Sequence, residues 1–111
     1  MHELGLTVEI VEIVCVHAQG ARVKWVELQI GKLSAVLPDA VRFAFGLCVE
    51  GTVAEGARLD ILETRAKARC RVCEMIFELD QPFGTCPCGS ANLEWLAGHE
   101  LKVTQMEVED V

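Results

Sequence analysis

The chain has 111 residues, 51% of them apolar, which is enough for one compact domain with a modest core and a small appendage. Its formal net charge of −7 argues against a protein that binds nucleic acid by neutralising phosphates. No apolar run approaches the roughly 18 residues of a membrane-spanning helix, and the first residues lack the basic region of a signal peptide, so we expect a cytoplasmic protein with no membrane partner.

The first half of the chain predicts a helix, a strand, a second helix and a second strand. The first helix covers residues 4 to about 18, where apolar side chains recur at helical spacing. Strand-like alternation covers residues 22–30, and the second helix opens at Pro38, where a missing N–H has no cost. A second strand is expected at 57–63. The helix side chains predicted to be buried are Leu4, Val8, Ile10, Val11, Val14, Cys15, Leu37, Val41, Phe45 and Cys48.

Four of the six cysteines form two close pairs, Cys70 with Cys73 and Cys86 with Cys88. In an intracellular protein, such pairs indicate a tetrahedral metal site rather than a disulfide framework. Each pair can place two thiolates at about 2.3 Å from one Zn²⁺ ion. We therefore predict structural zinc; rubredoxin-like iron, a disulfide staple and a redox dithiol are the alternatives.

Basic side chains recur at a spacing of two just before and within the cysteine segment. Arg65, Lys67, Arg69 and Arg71 therefore lie on one face of an extended segment. Such a strip is either a solvated strand face or a docking patch for an acidic partner. We expect the solvated face.

The predicted elements indicate an α/β (α+β) fold, with a small mixed sheet, two helices and an inserted zinc-ribbon-like metal loop. A last strand is expected at about 99–108. Residues 1–64 and 97–111 would form the α/β domain. Residues 65–96 would form the zinc-binding domain.

The first three residues, Met1-His2-Glu3, have a metal chemistry of their own. The terminal amine, the His2 amide nitrogen and the His2 imidazole can close fused chelate rings around one metal ion. Nitrogen donors in a plane favour Ni²⁺ or Cu²⁺ over Zn²⁺, and Glu3 could add an amide nitrogen or a carboxylate oxygen. A histidine in this position is also common as a solvated side chain, so these residues alone leave both interpretations open.

Several sequence blocks together resemble the HypA/HybF family of hydrogenase-maturation nickel chaperones. They run nearly end to end in the family's order, which makes them more specific than any one block. The blocks are Met1-His2-Glu3, Ile30-Gly31-Lys32-Leu33-Ser34 with Val36 and Pro38, Phe43-Ala44-Phe45, Gly51-Thr52, Glu55-Gly56-Ala57 with Leu59, the cysteine pairs, and Gly98 with Glu100-Leu101.

The resemblance implies a cytoplasmic metallochaperone and not an enzyme. It implies nickel ligands at His2, Glu3 and Met1, within a nickel-binding α/β domain. The implied partners are the [NiFe]-hydrogenase large-subunit precursor, a nickel-associated maturation GTPase and, for some members, urease maturation proteins. The implied zinc ligands are Cys70, Cys73, Cys86 and Cys88.

One departure from the family concerns its second cysteine pair, which usually reads Cys-Pro-x-Cys. Here it is Cys86-Pro87-Cys88, one residue shorter. A single proline spacer removes a backbone donor, so we expect a distorted turn around the metal.

His99 and Asp39 are candidate additional nickel ligands. We expect His99 to be a surface histidine and Asp39 to interact with the helix dipole. Three rival functions stay open: a structural zinc-ribbon adaptor without nickel transfer, a nucleic-acid-binding ribbon that uses the basic strip, and a redox enzyme built on Cys70 and Cys73.

Overall fold

The structure is a computed structural model. It describes residues 2–81 and 83–109, and at His2 it describes only the backbone. The order of elements agrees with the predicted order, and the predicted cysteine segment contains three further strands. None of the described helices is long and apolar enough to cross a membrane. The elements are α1 (His2–Ala18), β1 (Val23–Gly31), α2 (Pro38–Cys48), β2 (Arg58–Thr64), β3 (Ala66–Cys70), β4 (Ile76–Leu79), β5 (Leu93–Ala97) and β6 (Leu101–Val108).

The strands form two three-stranded sheets, with the orders β2-β1-β6 and β4-β3-β5. The predicted α+β class is therefore confirmed. The expectation of a single sheet with a metal loop was incomplete, because the cysteine segment builds a sheet of its own. Its central strand, β3, alternates small buried side chains with exposed basic ones, which is the pattern of a half-buried strand.

The chain divides into two compact units. Unit 1 comprises the described residues within Met1–Gln29, Val36–Leu62 and Lys102–Val111. Unit 2 comprises those within Ile30–Ala35 and Glu63–Leu101. The predicted zinc-binding domain, 65–96, lies within unit 2, and its independence as a domain stays a prediction.

Unit 1 has its core between α1, α2 and β1. The strand contributes Val23 and, at a period of two, Val26 and Leu28, and the helices contribute a stripe each. Thr7 joins the α1 stripe although it is polar, because its hydroxyl donates to the Glu3 carbonyl oxygen at 2.6 Å. The buried side chains on these three elements within unit 1 are Thr7, Ile10, Val11, Val14, Ala18, Val23, Val26, Leu28, Val41, Ala44 and Phe45.

Three side chains predicted to be buried are exposed. Leu4 is 40% exposed, Val8 is 41% exposed and Leu37 is 63% exposed. On α1 periodicity correctly identified Ile10, Val11 and Val14 as buried. It failed at Leu4 and Val8 because apolar residues surround most of the helix. Leu37 precedes α2 in extended conformation, so its side chain is not on the helix stripe.

Unit 2 contains the sheet in which β3 pairs antiparallel with both β4 and β5. Ala66, Ala68 and Cys70 are fully buried on one face of β3, whereas Lys67 and Arg69 are exposed on the other. The sequence therefore predicted the exposed basic face of this strand, but it predicted neither the buried alanines nor the strands beside it.

The basic strip is exposed, and part of it is paired within unit 2. Arg65 Nε donates to Asp80 Oδ1 at 2.8 Å, and Arg69 lies 3.2 Å from Glu94. The hydrogen bond and charge of Arg65 hold the pKa of Asp80 below its ordinary value. Arg65 and Arg69 are therefore paired within the unit, and the interpretation of the strip as a solvated face stays a prediction.

Candidate metal sites

The first cysteine pair lies in the turn that joins β3 to β4. Cys70 ends β3, and its N–H donates to Met75 O at 2.8 Å, while the Glu74 N–H donates to Cys70 O at 2.9 Å. The chain reverses at Glu74, which has a φ of +65°. The N–H groups of Val72 and Cys73 both point at Cys70 Sγ, each at 3.4 Å. The turn thus supplies two donors to one sulfur.

The second cysteine pair repeats this turn with one residue fewer. The Cys86 N–H donates to Ser90 O and the Gly89 N–H donates to Cys86 O, both at 2.8 Å. Each bond spans one residue less than its counterpart in the first turn. The chain reverses at Gly89, with a φ of +96°. The Cys88 N–H alone points at Cys86 Sγ, at 3.5 Å.

The proline is not the reason that a donor is missing, so that part of the prediction was wrong. Pro87 corresponds in position to Arg71, whose N–H donates to Asn92 O at 3.0 Å and not to a sulfur. The missing donor is the N–H of Gly89, which corresponds in position to that of Cys73. In the shorter turn it donates to Cys86 O and not to Cys86 Sγ. The shorter spacing of the second cysteine pair, and not its proline, therefore accounts for the missing hydrogen bond to sulfur.

The two turns bring four sulfur atoms together, all within 4.8 Å of one another. Cys70 Sγ lies 3.7 Å from Cys88 Sγ, and Cys73 Sγ lies 3.4 Å from Cys86 Sγ. Thiolates at about 2.3 Å from one tetrahedral zinc ion would be about 3.8 Å apart. A disulfide requires about 2.05 Å. The four cysteines therefore fit one metal ion and are not bonded in pairs.

The pKa values of the two buried thiols, Cys70 and Cys86, shift in opposite directions. The N–H of Cys73, supported by that of Val72, lowers the pKa of the Cys70 thiol to about 6. At Cys86 the Cys88 N–H favours the thiolate, but burial and the neighbouring sulfurs outweigh it and raise the pKa to about 12. Four adjacent thiolates need a cation. Without one the cluster retains protons, which metal binding displaces.

In each turn, one cysteine of the pair is buried and the other is exposed. Cys70 and Cys86, the first cysteine of each pair, are buried, and Cys73 and Cys88 are exposed. Four protein thiolates would fill all four positions around a tetrahedral metal ion and would leave no open position for a substrate. Such a ligand set is typical of a structural zinc site.

The predicted nickel site is described only in part. Met1 and the His2 side chain lie outside the described residues. The backbone of α1 begins at His2, and Glu3, in the first turn, is half-buried. The Glu3 carboxylate accepts the Leu37 N–H at 3.4 Å, a contact the sequence did not predict. No local signal could have shown it, because 34 residues separate the partners.

The two additional nickel candidates are both exposed. Asp39 lies in the first turn of α2, 3.9 Å from Arg42. His99 lies in unit 2, in the short segment between β5 and β6. Neither position tests a role in metal binding.

Comparison with known proteins decides the family. The model of the family described as "Hydrogenase/urease nickel incorporation, metallochaperone, hypA" matches residues 1–108. The chain belongs to the HypA family. Hydrogenase maturation factor HypA of Nostoc punctiforme is 53% identical over 111 residues, covering 100% of this chain and 98% of that protein. Hydrogenase maturation factor HypA of Geobacter sulfurreducens is 44% identical and covers 98% of this chain, and the chain covers 100% of it.

Solved HypA structures agree with the fold. The solution structure of the Ni metallochaperone HypA from Helicobacter pylori has a TM-score of 0.68 and 25% identity, over 96% of each chain. A second solution structure of a HypA protein has a TM-score of 0.67 and 27% identity, over 92% of each chain. The resemblance inferred from the sequence blocks is thereby confirmed. The HypA family serves nickel incorporation in hydrogenase maturation.

Proposed function

We propose that this HypA protein is a cytoplasmic carrier that binds one Ni²⁺ ion at its N-terminus and delivers it to the large-subunit precursor of a [NiFe]-hydrogenase. The proposal rests on the family match over residues 1–108, because the role of that family is nickel incorporation. The match includes the Met1-His2-Glu3 start, whose donors suit nickel. We propose no catalytic reaction for the chain.

The proposed nickel site consists of Met1, His2 and Glu3. The terminal amine, the His2 amide nitrogen and the His2 imidazole supply three nitrogen donors, and Glu3 supplements them. A planar nitrogen set selects Ni²⁺ over Zn²⁺. The position of His2 supports this role, since α1 begins there. A first-turn N–H has no acceptor within its own helix, so ligation through the His2 nitrogen breaks no helical hydrogen bond.

The proposed zinc site consists of Cys70, Cys73, Cys86 and Cys88. Their sulfur spacing and thiolate chemistry suit Zn²⁺. A bound zinc ion would hold the turn after β3 against the Cys86–Cys88 turn. We propose that it stabilises unit 2 and is not transferred.

The proposed partners follow from hydrogenase maturation. Nickel would be handed on with the help of a nickel-associated maturation GTPase, and the hydrogenase precursor would receive it. Urease maturation proteins are a further class of recipient, because the family description includes urease. A site made from a chain terminus suits transfer, since its donors can be exchanged one at a time.

The test is a nickel titration of untagged, zinc-loaded protein beside its His2→Ala variant. We expect one Ni²⁺ per chain for the wild type and loss of tight binding in the variant, with zinc content unchanged. His17→Ala is the matched control among the three histidines of the chain, and His99→Ala tests the additional candidate ligand. Binding that survives His2→Ala would refute the assigned site. Absence of nickel binding in the wild type would favour a zinc-ribbon adaptor instead.

Delivery needs a second measurement. Nickel-loaded protein is incubated with the nickel-free hydrogenase precursor and the GTPase, and the nickel content of the re-isolated precursor is determined. We expect transfer from the wild type and none from zinc-loaded His2→Ala protein. Equal nickel uptake with both proteins would refute a carrier role.

A further inference from the structure

The start of α2 has no side-chain cap of its own. Its N-cap residue is Leu37, whose side chain cannot accept a hydrogen bond, and Pro38 follows at the first helical position. In a capping box, a Glu or Gln at the third helical position accepts the N–H of the N-cap residue. Here that position is Ala40. The helix therefore cannot make this contact with its own residues.

Glu3 of α1 makes the contact instead. Its Oε2 accepts the Leu37 N–H at 3.4 Å. The main chain of Glu3 is held as well, because the fully buried Thr7 donates its hydroxyl to the Glu3 carbonyl at 2.6 Å. Glu3 is thus held through its carbonyl to α1 and through its carboxylate to the start of α2. It directly follows His2, the main residue of the proposed nickel site.

We propose that the Glu3 carboxylate is a positioning group for the nickel-binding terminus. By capping α2 from another helix, it fixes the first turn of α1 against the start of α2, and it raises nickel affinity through this contact rather than by donating an oxygen to the metal. The inference rests on the proposed nickel site and specifies how Glu3 acts in it.

The physical basis is preorganisation. A chain terminus loses conformational freedom when its donors close around a metal ion, and this loss weakens binding. A terminus whose third residue is already held by Leu37 and Thr7 has less freedom to lose. The carboxylate can therefore strengthen nickel binding without touching the ion.

The experiment compares Glu3→Ala and Glu3→Gln in zinc-loaded, untagged protein. Three quantities are measured: hydrogen exchange of the Leu37 amide without nickel, the nickel affinity, and the absorption spectrum of bound nickel. For Glu3→Ala we expect nickel affinity to fall and Leu37 exchange to accelerate, each by about two- to tenfold. The spectrum should stay unchanged, because the donor atoms are the same. Glu3→Gln retains an acceptor oxygen and should lie closer to the wild type.

Glu9→Gln is the matched control. It removes one negative charge from an exposed position of α1, but the observed acceptor of the Leu37 N–H is Glu3. It should leave Leu37 exchange and nickel affinity within error of the wild type. A loss as large as that of Glu3→Ala would show that the negative charge of α1 is sufficient, and would overturn the assignment.

A second variant separates capping from positioning. In Glu3→Ala/Ala40→Glu, the third residue of α2 can accept the Leu37 N–H itself. We expect Leu37 protection to return and nickel affinity to stay low, because the first turn of α1 has not regained its contact with the start of α2. Recovery of nickel affinity would show that only the stability of α2 matters, and would overturn the positioning role.

Two further outcomes would also overturn the inference. A changed nickel spectrum in both Glu3 variants would identify the carboxylate as a ligand. Unchanged Leu37 exchange in Glu3→Ala would show that the cap does not exist. If the wild type binds no nickel, the proposed function fails, whereas the Leu37 measurement still decides the cap by itself.

Discussion

Gly31 and Gly98 lie so close together that a Cβ atom on Gly31 would overlap the carbonyl group of Gly98. The approach is held by backbone hydrogen bonds, from Gly31 N–H to Glu100 O and from Leu33 N–H to Gly98 O, both of 2.7 Å. A side chain at Gly31 must therefore displace backbone. The end of β1 and the segment before β6 depend on glycine at this contact.

Gly31→Ala should destabilise the protein by at least about 2 kcal/mol, because overpacking against backbone cannot be relieved by a rotamer change. Urea unfolding at fixed zinc concentration measures this. Gly46→Ala is the matched control: Gly46 lies inside α2 with no atom near its Cβ position, so the same substitution should stabilise by about 0.5–1 kcal/mol. Equal effects at the two sites would contradict the close approach.

Cys73→Ser and Cys88→Ser should each weaken zinc binding by more than about 100-fold, because a hydroxyl is a poor substitute for a thiolate ligand. Metal analysis after dialysis against a chelator measures the loss. Cys48→Ser is the control, since Cys48 lies in α2 and outside the four-sulfur cluster. Full zinc occupancy in Cys73→Ser would show that the ligand set is different.

In the shorter second turn, substitution of the glycine should weaken zinc binding more than substitution of the proline. Pro87→Ala should change zinc affinity by less than about threefold, because the corresponding N–H in the first turn does not bond to sulfur and only chain stiffness is lost. Gly89→Ala should weaken zinc binding by about fivefold or more, since a φ of +96° is strained for alanine. Competition with a chromophoric chelator gives both affinities. A larger effect of Pro87→Ala would contradict this description of the turn.

Zinc affinity should fall as the pH falls. The raised pKa of Cys86 means that its thiol is protonated at neutral pH, so zinc binding releases that proton. The lowered pKa of Cys70, about 6, means that its sulfur is already a thiolate at pH 7 but binds a proton below pH 6. Below pH 6, zinc binding should therefore release about one more proton, and the slope of log Kd against pH should become steeper by about one. A plot without slope would show that all four ligands are deprotonated before zinc binds.

The sequence predicted the cysteine cluster because the geometry of each turn is local. Two cysteines separated by one or two residues can only close a small loop, and Gly89 directly after the second pair provides the reversal. The α1 face was harder to predict, because Leu4 and Val8 are as apolar as Val11 and Val14. Packing against β1 and α2 selected the buried face, and it placed the polar Thr7 inside.

Contacts between distant residues could not be predicted from pattern. The Glu3 carboxylate accepts the N–H of Leu37, which lies 34 residues further along the chain. Gly31 and Gly98 are in contact although they are also far apart in the sequence. Family blocks contain Glu3, Gly31 and Gly98, but block matching does not say which of them touch. Only the fold brings these partners together, because both contacts depend on how the elements pack.

A tag of several residues before Met1 should impair nickel binding without affecting zinc. The tag converts the Met1 amine into an amide, which binds nickel only after losing its proton, and it places the new terminal amine too far from His2 to close the same chelate ring. We expect the nickel affinity of the extended protein to fall by at least about tenfold, measured by titration beside the unextended protein. The same extension at the C-terminus is the control and should bind nickel as the wild type does. Unchanged affinity after N-terminal extension would exclude the amine as a ligand, and the site would then depend on the His2 imidazole with other donors.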